Sequence, residues 1–347
     1  MRRGASTATI AAAIIIIIII IAGAAYYMAK KGGEKGAGEQ GPYKITILTG
    51  GVGGTYYPVG TTYAKLLNKY SNGKISATGL EGKASVSNIQ EICKGTANAG
   101  LAQNDISYYA YNGVKISAFE GKPQKCIRAV AVLYPETIQI VTLKDSGINT
   151  LQDLAGKKVV VGAEGSGTYW NARQILEAAG VWDQIVPVYK KFSDAKEDLK
   201  NGAVDAAFYT AGIPTSAIEQ LASEVPIKII PVPTEIYQKL IQNYPFYVQQ
   251  TIPAGTYNGL DQDVQTVAVM SMLLVHKDVP KDIVYLMTKI LFEHVDELKS
   301  QVGKTSVQYI SLDHALDGLS IPLHEGAYQY YVEKGLQVPD EFKPTSG

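Results

Sequence analysis

The chain has 347 residues, a formal net charge of +0, 46% hydrophobic and 18% charged residues, and 34 glycines. That composition excludes a collagen-like, coiled-coil or largely disordered chain, and the 32 Lys and Arg form no concentrated basic run of the kind a nucleic-acid partner requires. The length suits a body of about two lobes.

Arg2 and Arg3 precede an uncharged run over residues 8–29 with isoleucines at its centre. As a helix rising about 1.5 Å per residue, the run reaches about 30 Å, enough to cross a bilayer. It reads as an uncleaved membrane anchor over residues 1–29; the competing reading is a signal sequence cut near Ala22-Gly23-Ala24. No cysteine follows it to carry a lipid. Arg2 and Arg3 hold the N-terminus inside, so the rest of the chain is expected outside the cytoplasm, tethered to the outer face of the membrane, or secreted or periplasmic after cleavage. Residues 30–42, KKGGEKGAGEQGP, read as a flexible linker. Cys93 and Cys126 are the two cysteines; a disulfide between them and a pair of buried thiols are both open readings.

From residue 43 onward, short β-type runs alternate with amphipathic stretches, the pattern of an α/β fold with largely parallel sheets. Strands are predicted at 44–48, 74–77 and 97–102, and helices at 57–70 and 86–94. Runs at 128–133 and 137–142 flank Tyr134-Pro135-Glu136, where the proline predicts a crossing rather than one continuous strand. A second unit repeats the plan, with strands at 158–161, 185–189 and 204–209 and helices at 171–179 and 193–201. A strand-like run at 264–275 and one long helix at 281–302 read as a return to the first lobe. The expected organisation is residues 43–136 with 251–347 as lobe 1, and residues 137–250 as lobe 2.

The two units share a local pattern. Residues 45–48 lead into TGGVGGTYYPVG, and residues 159–161 into GAEGSGTYWNAR. Each is a strand, a Gly-rich loop, Gly-Thr-Tyr and a helix. A helix start leaves free backbone N–H groups carrying roughly +0.5 charge, and glycine lets an anion approach them. Two such ends facing one cleft would hold an acid, which makes Gly54, Thr55, Tyr56 and Tyr57 and the matching Gly165, Ser166, Gly167 and Thr168 candidate ligand contacts. Ligands of open α/β sheets gather at the carboxyl ends of strands, which adds Ser85, Asn88, Gln103, Asp105 and Tyr209. Gln103 and Asp105 have a plainer use as helix caps, and Trp170 is a candidate cleft wall. Neither loop is a nucleotide motif: Gly54 is followed by Thr55 rather than Lys, and no third glycine completes a dinucleotide fingerprint. With only Arg128 and Arg173 in the body, a backbone clamp on the anion is expected in place of an arginine fork.

Chemistry beyond binding finds no support. Ser166 sits outside a G-x-S-x-G elbow, the four histidines are scattered without metal spacing, and no nucleophile, base and orienter can be assembled. No metal, cofactor or enzymatic activity is expected.

A set of ordered motifs extends the reading: GGVGGTYYP (50–58), GLAQND (100–105), LYPETIQIV (133–141), LQDLAGKKVVVGAEGSG (151–167), DAAFYTAGIP (205–214), IPAGTYNG (252–259) and IPLHEGAYQYYVEKGL (321–336). With these the chain resembles the TAXI family of TRAP transporter solute receptors over nearly everything from Tyr43 to Leu336, although Glu325 stands where that family often has proline. The resemblance implies a two-lobed periplasmic-binding-protein fold, type II-like, that captures a small anionic solute and delivers it to TRAP transporter permease subunits. Dicarboxylates such as glutamate or 2-oxoglutarate are among that family's ligands. The alternative reading on the same fold is the ligand-binding component of a sensory or ABC-type system.

Overall fold

The computed structural model describes residues 41–345. The expected anchor over residues 1–29 lies outside the described residues, as does nearly all of the linker. Among the described residues, no helix is long and apolar enough to cross a membrane.

The first half opens with β1 (Tyr43–Leu48), α1 (Tyr56–Tyr70), β2 (Ile75–Leu80), α2 (Ser85–Cys93), β3 (Ala99–Gln103) and α3 (Asn104–Asn112). Alternation in β1 sends Ile45 and Ile47 inward, and α1 covers them with a face of Val59, Tyr63, Leu66 and Leu67. Strand β4 (Ile127–Leu143) then leaves this half and enters the next. The second half holds β5 (Lys158–Val160), α4 (Gly167–Ala178), β6 (Val186–Val188), α5 (Phe192–Lys200), β7 (Ala206–Ala211), α6 (Ser216–Glu224), β8 (Ile227–Ile230), α7 (Thr234–Asn243) and β9 (Val248–Ile252). Strand β10 (Val264–His276) returns, followed by α8 (Lys281–Glu293), α9 (Val295–Val302) and α10 (Glu325–Glu333).

The strands form one curled sheet of order β2-β1-β3-β10-β4-β7-β5-β6, with β8 on β4 and β9 on β10. Its two long members are shared between the halves. Residues 127–137 of β4 run antiparallel to β10, after which Thr137–Thr142 pair with β7 and Ile140–Leu143 with β8. Likewise β10 pairs with β3 through Ser271–Val275 and with β9 through Val264–Ala268. β1 runs parallel to β3, and β5 runs parallel to both β6 and β7. In the second half the period-2 alternation feeds two cores. Ile138, Ile140, Val159 and Phe208 pack with Ile175 and Leu176 of α4 and Leu240 of α7; Val141, Val160, Ala207 and Tyr209 pack with Leu199 of α5 and Leu221 of α6.

Two sequence expectations are corrected here. Pro135 does not divide β4, because it sits opposite Met270 where the β4–β10 register slips between Met270 and Met272, so the missing N–H falls at an irregularity of the ladder. The long helix expected at 281–302 is two helices, α8 and α9. His294 leaves helical geometry at φ −122° and stacks on Tyr70 of α1, ring centroids 3.4 Å apart. The two cysteines, left open by the sequence, form a disulfide between the end of α2 and the start of β4, with Cα atoms 5.5 Å apart.

Candidate functional site

The carboxyl ends of β1, β2, β3, β5 and β7 converge on a cavity of about 360 Å³ between the halves. Both Gly-Thr-Tyr loops reach it. On one side lie Gly54, Thr55 and Tyr56 at the start of α1, with Ser85 and Gln103; on the other lie Ser166, Gly167 and Thr168 at the start of α4. The first-turn N–H groups of both helices have no partner within their own helix, so two positive helix ends flank one volume. In the second loop Ser166 caps α4, its hydroxyl accepting from Tyr169 N at 3.2 Å and donating to Ala163 O at 2.7 Å. Gly162 turns the chain from β5 into this loop at φ +97°, a backbone that a residue with a Cβ rarely adopts.

The halves touch across the cavity. Thr55 Oγ1 donates to Gly212 O at 3.2 Å, Ala217 N to Gly53 O at 3.1 Å, and Ser87 N to Gly165 O at 3.2 Å. Lys191 pairs with Glu81 at 2.9 Å. Gly167 lies so close to Gln103 that a Cβ there would overlap the amide. This is a closed arrangement.

The remaining sequence candidates do not line the cavity. Tyr57 follows Tyr56 on α1 and turns away from it. Asn88 donates to Thr49 O at 2.8 Å and Leu101 O at 2.9 Å, tying the ends of β1 and β3 together. Gly165 contributes its carbonyl to Ser87 rather than to the cavity. Tyr209 is turned by strand alternation into the α5 and α6 core, its ring centroid 4.9 Å from that of Phe192, and the next residue, Thr210, takes the place at the wall. Trp170 is buried behind Tyr169 at 5.0 Å. Among the described residues no arginine lines the cavity: Arg128 donates to Lys125 O and Ile127 O, and Arg173 pairs with Glu177 at 2.7 Å.

Asp105 has a different place from the one expected. It is fully buried, and its Oδ2 accepts from Asn171 Nδ2 of α4 at 3.2 Å, while Asn171 also donates to Tyr247 OH at 2.9 Å. This chain of bonds joins the first half to the second. Burial raises the Asp105 carboxyl to about 7, against which its bonds from the Ile106 backbone and Asn171 act only in part.

The sequence reading missed the most distinctive group in the cavity. Glu136 lines the wall at 2% exposure, where β4 passes from one half to the other, and Tyr56 OH donates to its Oε1 in a short bond. Burial lifts its carboxyl to about 8, opposed by the Tyr56 bond. The one acidic residue in the mostly apolar run at 128–142 was the available signal. Lys83, Lys190 and Lys191, together with Glu164 and Asp194, complete the charged lining. Among the described residues, no group of His, Cys, Asp and Glu is arranged to hold a metal ion.

The NMT1-like family model matches residues 47–335. Among solved structures, the chain is similar to the periplasmic binding protein BugD, with 13% identity over 84% of this chain and 94% of that one and a TM-score of 0.54. A protein of Bordetella bronchiseptica RB50 gives 16% identity over 88% and 86% and a TM-score of 0.50. A weaker likeness, TM-score 0.46 at 16% identity over 79% and 98%, is to a putative L-cystine ABC transporter protein of Listeria monocytogenes. The fold is that of the two-lobed periplasmic binding proteins, as the BugD likeness shows.

Proposed function

The chain belongs to the NMT1-like family, and from that premise we propose that it is an extracytoplasmic solute-binding receptor that holds a small carboxylic acid between its lobes and delivers it to a membrane permease. The observation that carries this reading is the cavity itself. Two helix starts of matching sequence face one volume of about 360 Å³, a size suited to a metabolite, and no arginine among the described residues competes with their amides for an anion. Gly54, Thr55, Tyr56, Ser85, Gln103, Ser166, Gly167 and Thr168 are the proposed contacts. The lobes are residues 43–136 with 251–347, and residues 137–250, hinged where β4 and β10 change partners. The segment over residues 1–29 tethers the receptor to the membrane.

For the permease, we place the ABC type ahead of the ion-coupled TRAP type, because the TRAP reading and its dicarboxylate ligands rest on the short motifs alone. Mass spectrometry of small molecules released from purified, unheated protein tests the class of solute. A co-purifying carboxylic acid of metabolite size is expected; a neutral sugar or a large apolar compound would overturn the reading. Pull-down of full-length protein from its own membranes separates the permease classes, since an ABC permease brings an ATPase subunit with it.

A further inference from the structure

The wall of the cavity carries one carboxyl that the anion-binding account does not use. Glu136 is buried, and among the described residues it has no ion-pair partner. A buried carboxylate without a cation is costly, so either the group stays neutral or a cation comes with the ligand. The hydrogen bond from Tyr56 at the start of α1 holds the carboxyl beside the amides that would receive the ligand's own carboxylate.

We propose that Glu136 is the residue with which the site reads the charge of what it binds. As a carboxylate it holds the ammonium of an amine-bearing acid; as a carboxylic acid it donates a hydrogen bond to an amine-free acid. The first event releases the Glu136 proton to solvent and the second retains it, so the two ligand types are linked to pH with opposite sign. This inference rests on the small-acid reading above.

The groups facing Glu136 from the surrounding elements are Tyr56 of α1, Gln103 at the end of β3, Asp105 of α3, Tyr134 of β4 itself and Ser271 of β10. Lys83, Lys190, Lys191, Glu164 and Asp194 share the cavity lining. Burial places the Glu136 carboxyl at about 8 and Asp105 at about 7, so between pH 7 and 9 Glu136 titrates together with the upper half of Asp105, and the Glu136→Gln variant separates the two.

Calorimetry on the full-length protein in detergent, with L-glutamate and 2-oxoglutarate as probes, tests the proposal. Between pH 7 and 9 the association constant is expected to rise about tenfold for the amine-bearing probe and to fall about tenfold for the amine-free one, as a single group titrating near 8 requires. Repeating each titration in two buffers of different ionisation enthalpy should show proton release for the first and none at pH 7 for the second. Glu136→Gln, checked as folded by circular dichroism, should flatten both slopes and lose L-glutamate at least about tenfold, while 2-oxoglutarate at pH 7 stays within about threefold because the amide still donates. Binding of both probes with slopes of the same sign, or slopes that survive in Glu136→Gln, overturns this inference alone. Failure of either probe to bind at any pH also overturns this inference, whereas the small-acid reading on which it rests falls only if mass spectrometry finds no co-purifying carboxylic acid.

Discussion

The two Gly-Thr-Tyr loops start from nearly the same sequence and finish in different company. In the first, Thr55 adopts helical backbone and spends its hydroxyl on Gly212 of the other half, while Tyr56 is buried and bonded to Glu136. In the second, Ser166 is extended and caps its own helix, and Tyr169 is half-buried among Trp170, Trp182 and Tyr189. A local repeat specifies a backbone plan, strand to glycine turn to helix start. What each side chain then does is decided by which half of the molecule stands opposite, and β4 supplies a glutamate to one tyrosine but not to the other.

The largest expected difference between the halves lies in the staple. The disulfide closes 33 residues of the first half, and no such bond braces the second. Removing it by Cys93→Ser with Cys126→Ser should cost about 3–4 kcal/mol of stability by the loop-entropy relation, seen as a lower urea midpoint. Ligand affinity at temperatures where the protein is folded should be unchanged, and a loss of affinity would show that the staple shapes the site.

Next in size is a matched pair of glycine substitutions. Gly54 and Gly167 occupy the same place in the two motifs, but a Cβ on Gly167 would overlap the buried Gln103 amide, whereas on Gly54 it would stand 3.3 Å from the Phe192 ring. Gly167→Ala should weaken binding by about 2 kcal/mol, roughly 30-fold, by holding the lobes apart; Gly54→Ala should change it by less than about threefold. Equal losses at both positions would mean that the loops act symmetrically on the ligand. This differs from an account in which bulk at Gly167 only crowds the anion, since small-angle X-ray scattering should then show Gly167→Ala still closing.

The tyrosines give a smaller contrast. Tyr56→Phe removes a buried hydrogen bond to Glu136 and should cost about 1–2 kcal/mol of stability, while Tyr169→Phe, whose ring packs between indoles, should cost less than about 0.5 kcal/mol. Thermal denaturation of the two variants reads this difference, and a reversed order would remove the special standing of Tyr56.

The last contrast is a change of slope with pH. Asp105, held against Asn171 of the second loop's helix, titrates at about 7 in the folded chain instead of its ordinary 3.8. A carboxyl raised on folding keeps a proton that the unfolded chain has released. Its contribution is therefore whole below about pH 4 and is lost as pH rises to about 7. Asp105→Asn is neutral throughout and should flatten the fall of melting temperature over that window, leaving the part that Glu136 adds with the same sign up to about 8. An unchanged slope would place the titrating group elsewhere.

Much of this was legible in the chain. Periodicity and glycine placement located β1, β5, β10 and both loops, because each is dictated by neighbours close in sequence. Of the second-loop residues that line the cavity, Ser166, Gly167 and Thr168 are named by the motif, while Ala163 and Glu164 are not. The misses share a cause. Tyr209 and Thr210 differ only in which face of β7 they occupy, and that phase is set by packing against α5 and α6 rather than by anything local. Asn88 and Asp105 lie in the helices that follow β2 and β3, yet their partners are Thr49, Leu101 and Asn171, elsewhere along the chain. Glu136 is masked in the sequence by Pro135 beside it, which reads as a break, whereas the strand runs through both.

That uninterrupted passage of β4, with β10 beside it, also bears on how the molecule comes apart. The halves share hydrogen-bonding edges through these two strands: β9 lies on residues 264–268 of β10, whose residues 271–275 pair with β3, and β4 pairs with β10 before it carries β7 and β8. Fraying that begins in one half should propagate along the shared strands into the other, so that denaturation follows a single cooperative transition with the same midpoint whether Trp170 in the second half or far-ultraviolet circular dichroism of the whole is watched.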